Sequence, residues 1–123
     1  MAKKRIDTLK RGDIFLVNFD PTIGSEIKKT RPAIVLQNDI ANKYSSVTIV
    51  AAITSQDVSQ KLYPTEVFLQ SGNGGVANDS VVLLNQIRTI DKARLAKKLG
   101  KVQIKTMSEI TKALEISLGI VEM

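Results

Sequence analysis
Val47-Thr-Ile-Val-Ala-Ala-Ile53 is too rich in β-branched residues for a helix interior and too short to span a membrane. It reads as a buried strand, and its apolar character stops where two hydroxyls, Thr54 and Ser55, arrive together. Similar runs lie on either side of it. Ile14 to Phe19 and Ala33 to Gln37 precede it, while Glu66 to Leu69 and Ser80 to Leu84 follow. A further run, Gln86 to Ile90, extends the sheet after a bend at Asn85. Breakers separate these runs at Asp20-Pro21, Ile23-Gly-Ser25, Asn38-Asp39 and Ser71-Gly-Asn-Gly-Gly75. Helices come late. Asp91 is placed to cap a short helix over Lys92 to Leu99, closed by Gly100. Thr106-Met-Ser-Glu109 has the form of a capping box, opening a helix with Met107, Ile110, Leu114, Leu118 and Val121 along one face. The pattern predicts a mainly β (α+β) domain: a small, strongly curved antiparallel barrel with a C-terminal helix packed on it.

A chain of 123 residues is the size of one domain with one core. Its N-terminus has no apolar segment of the secretory type, and a cytoplasmic, soluble protein without membrane attachment is expected. The chain contains neither Cys nor His. Thiolate chemistry, disulfides, Ser-His-Asp hydrolysis, His-ligated zinc and paired-His cleavage of RNA are thereby excluded. No clustered Asp/Glu motif suggests a metal site, and no cofactor is expected. The net charge of +6 is unevenly placed. Residues 1–12, which include a basic N-terminal arm over 1–10, carry five basic side chains and one acidic. Residues 92–105 carry Lys92, Arg94, Lys97, Lys98, Lys101 and Lys105 and no acid. Two such blocks suit a polyanion, nucleic acid before membrane; on charge alone a solvated face that aids solubility is the commoner reading.

The connection from Phe19 to Pro32 is long for a hairpin in so small a domain, and Ser25, Glu26, Lys28, Lys29, Thr30 and Arg31 in it are all polar. Pro32 pushes Arg31 toward an extended conformation at the mouth of the second strand. A guanidinium held there offers a planar fork for phosphate, or is an ordinary surface charge. If the second and third runs are antiparallel neighbours, Thr54 falls beside Arg31.

Several segments together resemble the MazF/PemK toxin family of type II toxin–antitoxin systems. They are Arg11-Gly-Asp-Ile-Phe-Leu-Val-Asn-Phe-Asp-Pro21, Gly24-Ser-Glu26, Thr30-Arg-Pro32, Gln37-Asn-Asp39, Ala51-Ala-Ile-Thr54 and Asp79-Ser-Val-Val-Leu-Leu-Asn-Gln-Ile-Arg-Thr-Ile-Asp91. The resemblance runs over roughly residues 10–122 in the family's order. It implies an SH3-like barrel, a homodimer, and a sequence-specific, metal-independent endoribonuclease. The implied substrate is single-stranded RNA, and a cognate antitoxin holds the activity in check. Operator DNA would be bound only by the toxin–antitoxin complex.

By the same resemblance Arg31 and Thr54 are the catalytic pair, Gly24-Ser25-Glu26 is the site loop, and Asn38 and Gln86 contact RNA. Glu26 is the nearest carboxylate for a general base. Ser55, beside Thr54, is a further RNA contact, and Phe19 is the stacking candidate, or else a core side chain. The chain departs from the family at Asn85, where many members are acidic, and over residues 72–78. A non-catalytic nucleic-acid-binding module and a gyrase-poisoning toxin of related barrel fold are the alternatives.

Overall fold
The computed structural model describes residues 6, 8–55 and 61–122. Six strands form one antiparallel sheet: β1 (Asp13–Asn18), β2 (Thr30–Val35), β3 (Val47–Ser55), β4 (Glu66–Leu69), β5 (Ser80–Asp91) and β6 (Leu95–Lys101). Their order across the sheet is β4-β5-β3-β2-β1-β6. The helices are α1 (Asp39–Tyr44) and α2 (Ile104–Ser117). The expected antiparallel architecture with a C-terminal helix is present, but β4 and β6 remain edges and the sheet does not close into a barrel. Curvature comes from irregular pairing. Between Ala51 and Ala52 the partner on β5 jumps from Ile87 to Leu83, which places the expected bend at Asn85 inside a bulge.

Strand alternation sends neighbouring residues to opposite faces, and both faces are covered. Ile14, Ile34, Ala51 and Ile53 join Ile110 and Ala113 of α2 in one cluster. Phe15, Ala33, Val35, Val50 and Ala52 join Leu9, Phe19 and Leu95 in the other, with Ile27 packed against it. The second cluster matters for the site, because Phe19 and Ile27 tie the β1–β2 connection to the sheet.

Three expectations are corrected. The helix over Lys92 to Leu99 is only a 3-10 turn, Lys92–Arg94, although Asp91 caps it by accepting the Ala93 amide at 2.8 Å. The chain then becomes β6, because β1 would otherwise present an unpaired edge, and tertiary pairing overrides helical spacing. Gly100 is therefore no helix terminator. A Cβ there would meet the Gly74 carbonyl at 2.8 Å, so glycine permits that crossing. Thr106 is not the cap of α2, which starts two residues earlier behind Gln103. Asn73 does the capping from outside, accepting the Gln103 amide at 3.2 Å and donating to the Thr106 hydroxyl at 2.9 Å. Finally, the apolar stripe of α2 ends early. Ile110 is buried, but Leu118 and Val121 lie beyond the helix and are exposed.

α1 was not foreseen. Its N-cap is Asn38, whose side chain accepts the Ala41 amide at 2.9 Å. Arg11 ties this helix to the rest: its amide donates to Asp39 at 2.7 Å, and its guanidinium donates to the Leu36 carbonyl and, at 2.8 Å, to Thr111 of α2. That amide is the main reason the Asp39 carboxyl titrates below its ordinary value.

Candidate active site
Antiparallel pairing of β2 with β3 sets Ala33 opposite Ala52, and two residues further on Arg31 reaches Thr54. The Arg31 Nη1 donates to the Thr54 hydroxyl at 3.4 Å, and its Nε donates to the Lys28 carbonyl at 2.8 Å. Both side chains are half-buried at strand ends. Nη2 has no hydrogen-bond partner among the described residues. Thr54 Oγ1 also donates to the Ser55 carbonyl at 3.5 Å. Ser55 itself is exposed at the end of β3.

The loop beside this pair turns at Gly24, whose φ of 57° suits glycine. Glu26 closes that turn: its amide donates to the Ile23 carbonyl at 3.1 Å, and its carboxylate accepts the Ile23 amide at 2.5 Å. Glu26 is exposed and makes no ion pair with Arg31 among the described residues. Gln86, at the β5 bulge, fastens the loop by accepting the Ile27 amide at 3.3 Å and donating to the Ser25 carbonyl at 3.4 Å. Arg31, Thr54 and Ser55 thus meet at the neighbouring ends of β2 and β3, while Gly24, Ser25 and Glu26 lie in the connection leading to Arg31, which Gln86 of the β5 bulge holds through Ser25 and Ile27.

Two candidates do not join them. Phe19 is 0 % exposed and packed under the loop in the second cluster, the core position that was the alternative to stacking. Asn38 lies past the far end of β2, at least about 13 Å along the strand from Arg31 at the usual rise per residue.

The second basic block is not a uniform cationic face. Lys92 is buried and donates to the Asn42 carbonyl at 2.5 Å. Arg94 donates to the Asn18 and Asp20 carbonyls, and Lys98 pairs with buried Asp13 at 3.5 Å. Lys97, Lys101 and Lys105 stay exposed, as do Lys28 and Lys29 beside the site. Of the N-terminal block, Lys3, Lys4 and Arg5 lie outside the described residues. Sequence reasoning missed Arg88, whose Nη1 donates to the Phe19 carbonyl at 2.6 Å. No local signal marks a contact across that separation in the chain.

The family model for the PemK-like, MazF-like toxin of type II toxin–antitoxin systems matches residues 10–118. The chain belongs to that family. Endoribonuclease EndoA of Bacillus subtilis is 45% identical over 114 residues, covering 93% of this chain and 97% of that protein. Endoribonuclease MazF of Staphylococcus saprophyticus is 44% identical over 112 residues, covering 91% and 92%. Among solved structures, MazF of Deinococcus radiodurans superposes with a TM-score of 0.76 at 29% identity, covering 90% of this chain and 96% of that one. A mycobacterial endoribonuclease in complex with its cognate antitoxin shares the fold, with a TM-score of 0.76 at 21% identity over 94% of this chain and all of that one. Among the described residues of this PemK/MazF-family chain, no three acidic side chains gather as a metal-binding group, and no helix is long and apolar enough to cross a membrane.

Proposed function
We propose that this toxin-family chain is a metal-independent endoribonuclease that cuts single-stranded RNA by attack of a 2′-hydroxyl on the adjacent phosphorus. The observation that carries the reading is the meeting of Arg31 and Thr54, with the Arg31 Nη2 lacking a hydrogen-bond partner among the described residues. Such cleavage leaves a 2′,3′-cyclic phosphate, or its opened form, and a 5′-hydroxyl. It requires charge stabilisation on the phosphoryl oxygens, removal of the 2′-proton and protonation of the leaving oxygen.

Arg31 takes the first role. A guanidinium keeps its proton in proteins, so Arg31 is no base. It can donate a proton to the leaving oxygen only as bond breaking raises that oxygen's basicity. Thr54 donates a hydrogen bond to a phosphoryl oxygen or orients the 2′-hydroxyl. Glu26 is the base in this reading, and its carboxylate must first leave the Ile23 amide. With no imidazole in the chain, turnover is modest.

Recognition then leans on hydrogen bonds from Ser25, Ser55, Gln86 and the backbone at Gly24 rather than on stacking. Asn38 reads a more distant nucleotide, or serves the second site of a homodimer. We place residues 1–123 in one domain with a basic arm over 1–10, acting in the cytoplasm where its RNA is found. An acidic cognate antitoxin segment holds it inactive, and the pair binds operator DNA only as a complex. The solved relatives include such toxin–antitoxin complexes, which supports that partner.

The test is incubation of purified protein with a long single-stranded RNA in EDTA, followed by mapping of the ends. Discrete cuts with 5′-hydroxyl ends are expected. Protection without cutting indicates a binding module, and intact RNA with gyrase-dependent breaks in supercoiled DNA indicates a gyrase poison.

A further inference from the structure
The orientation of Arg31 depends on the Lys28 carbonyl, which accepts from its Nε at 2.8 Å. What holds Lys28 in turn is the neck of the β1–β2 connection. There the Phe19 amide donates to the Lys29 carbonyl at 3.0 Å, and the Lys29 amide donates to Asp20 at 3.1 Å. Lys29 has a φ of 69°, a left-handed conformation that side-chain-bearing residues rarely adopt, so this neck needs outside support. Two arginines supply it. Arg88 of β5 donates to the Phe19 carbonyl at 2.6 Å. Arg94, from the turn before β6, donates through one Nη1 to the Asn18 carbonyl at 3.0 Å and the Asp20 carbonyl at 2.6 Å. Both are half-buried, and neither pairs with an acid among the described residues. Their donors thus meet three successive carbonyls of residues 18–20.

We propose that Arg88 and Arg94 are positioning residues, which hold the neck so that the Lys28 carbonyl aims the Arg31 guanidinium at the scissile phosphate. The catalytic role of Arg31 rests on the function proposed above. The competing use of two cations near an RNA site is direct phosphate contact, and the two uses differ in what they change. A phosphate contact acts on affinity and its salt dependence, with a slope change of about one per arginine. A positioning contact acts on the chemical step, where a displacement of about 1 Å costs up to about 10²-fold.

The experiment uses Arg88→Met and Arg94→Met, which keep the apolar stem, beside Arg88→Lys and Arg94→Lys, which restore one cationic donor. Hydrogen exchange at the Phe19 and Lys29 amides is measured without RNA, and single-turnover cleavage and RNA affinity are measured across a salt series. In each Met variant, exchange at both amides accelerates by about tenfold or more. The cleavage rate constant drops by about 10- to 10²-fold. RNA affinity stays within about twofold of wild type with the salt slope unchanged, and the Lys variants recover both exchange and rate. Unchanged amide exchange overturns the proposal, as does a loss confined to affinity with a reduced salt slope. Should a Met variant fail to fold, the Lys variant decides: rates and exchange near wild type support positioning, and a lost chemical step with unaltered exchange refutes it. If wild type itself leaves RNA intact, the activity reading has failed, and the exchange measurements still decide whether the arginines hold the neck.

Discussion

Thr54→Val separates a catalytic hydroxyl from a structural one. Valine keeps the β-branched shape at the end of β3, so the pairing of Thr54 with Val81 survives. What disappears is the hydroxyl, with one accepted bond at 3.4 Å from Arg31 and one donated at 3.5 Å to the Ser55 carbonyl. Both sit at the long end of hydrogen-bonding distance, so each contributes less than the usual net value of about 1 kcal/mol. Half exposure of the site lets water replace them. The expected stability loss is below about 1 kcal/mol, or less than roughly 5 °C in thermal midpoint for a chain of this size. The effect on cleavage is far larger. A hydroxyl aimed at charge developing on a phosphoryl oxygen is worth about 10²-fold or more in rate, by analogy with an oxyanion donor. The assay pairs a fluorogenic single-stranded RNA under single-turnover conditions with thermal unfolding of the same sample. A rate within about threefold of wild type would remove Thr54 from the chemistry. A collapse of the thermal midpoint alongside the rate would show instead that the hydroxyl serves the fold.

Other expectations concern the framework. Arg11→Met removes charged donors from the Leu36 carbonyl and from Thr111, at a cost of about 2–3 kcal/mol in denaturant unfolding; a change under about 0.5 kcal/mol contradicts the clamp. Gly75→Ala would set a Cβ 2.1 Å from the Leu99 carbonyl oxygen at a φ of 84° and should leave little folded protein. Gly24→Ala, at a φ of 57° with open space around it, should lose only about 1–2 kcal/mol, as circular dichroism melts of the two variants can compare. Asp39 has a lower pKa folded than unfolded, so the stability it adds is complete above the ordinary value of 3.8 and is lost as the pH falls through the lowered one. Asp39→Asn should therefore flatten the acid end of the stability profile below about pH 4, and an unchanged profile there would contradict the Arg11 amide as the cause.

The strands were legible because β-branched runs of the right length stand between turn residues, and one of them, Val47 to Ile53, forms all of β3 but Thr54 and Ser55. The Arg31–Thr54 pair was legible for the same reason: once the second and third runs are antiparallel neighbours, register brings their ends together. What could not be read depended on distant partners. Leu95 and Leu99 have helical spacing, yet the free edge of β1 draws the segment into a strand. Lys92 counted as surface charge but lies buried against the α1 carbonyl of Asn42, beside the buried Gln37, Asn42 and Thr48. Asn38-Asp39 read as a breaker because a helix cap and a turn use the same residues. Arg88 and Arg94 had no local pattern to mark them, since their acceptors lie 69 to 76 residues away in the chain.

The central claim is that the nucleophile is the substrate's own 2′-hydroxyl, assisted by Arg31 and Thr54. The direct measurement takes a short RNA containing one mapped cleavage bond, replaces the ribose on the 5′ side of that bond by 2′-deoxyribose, and follows cleavage and binding in EDTA. The account predicts that this bond stays intact while affinity remains within about threefold, since one hydroxyl contributes little to a contact dominated by phosphates. Cleavage of the deoxy-substituted bond at the all-ribose rate would mean that water or a protein group attacks phosphorus, and would contradict the mechanism.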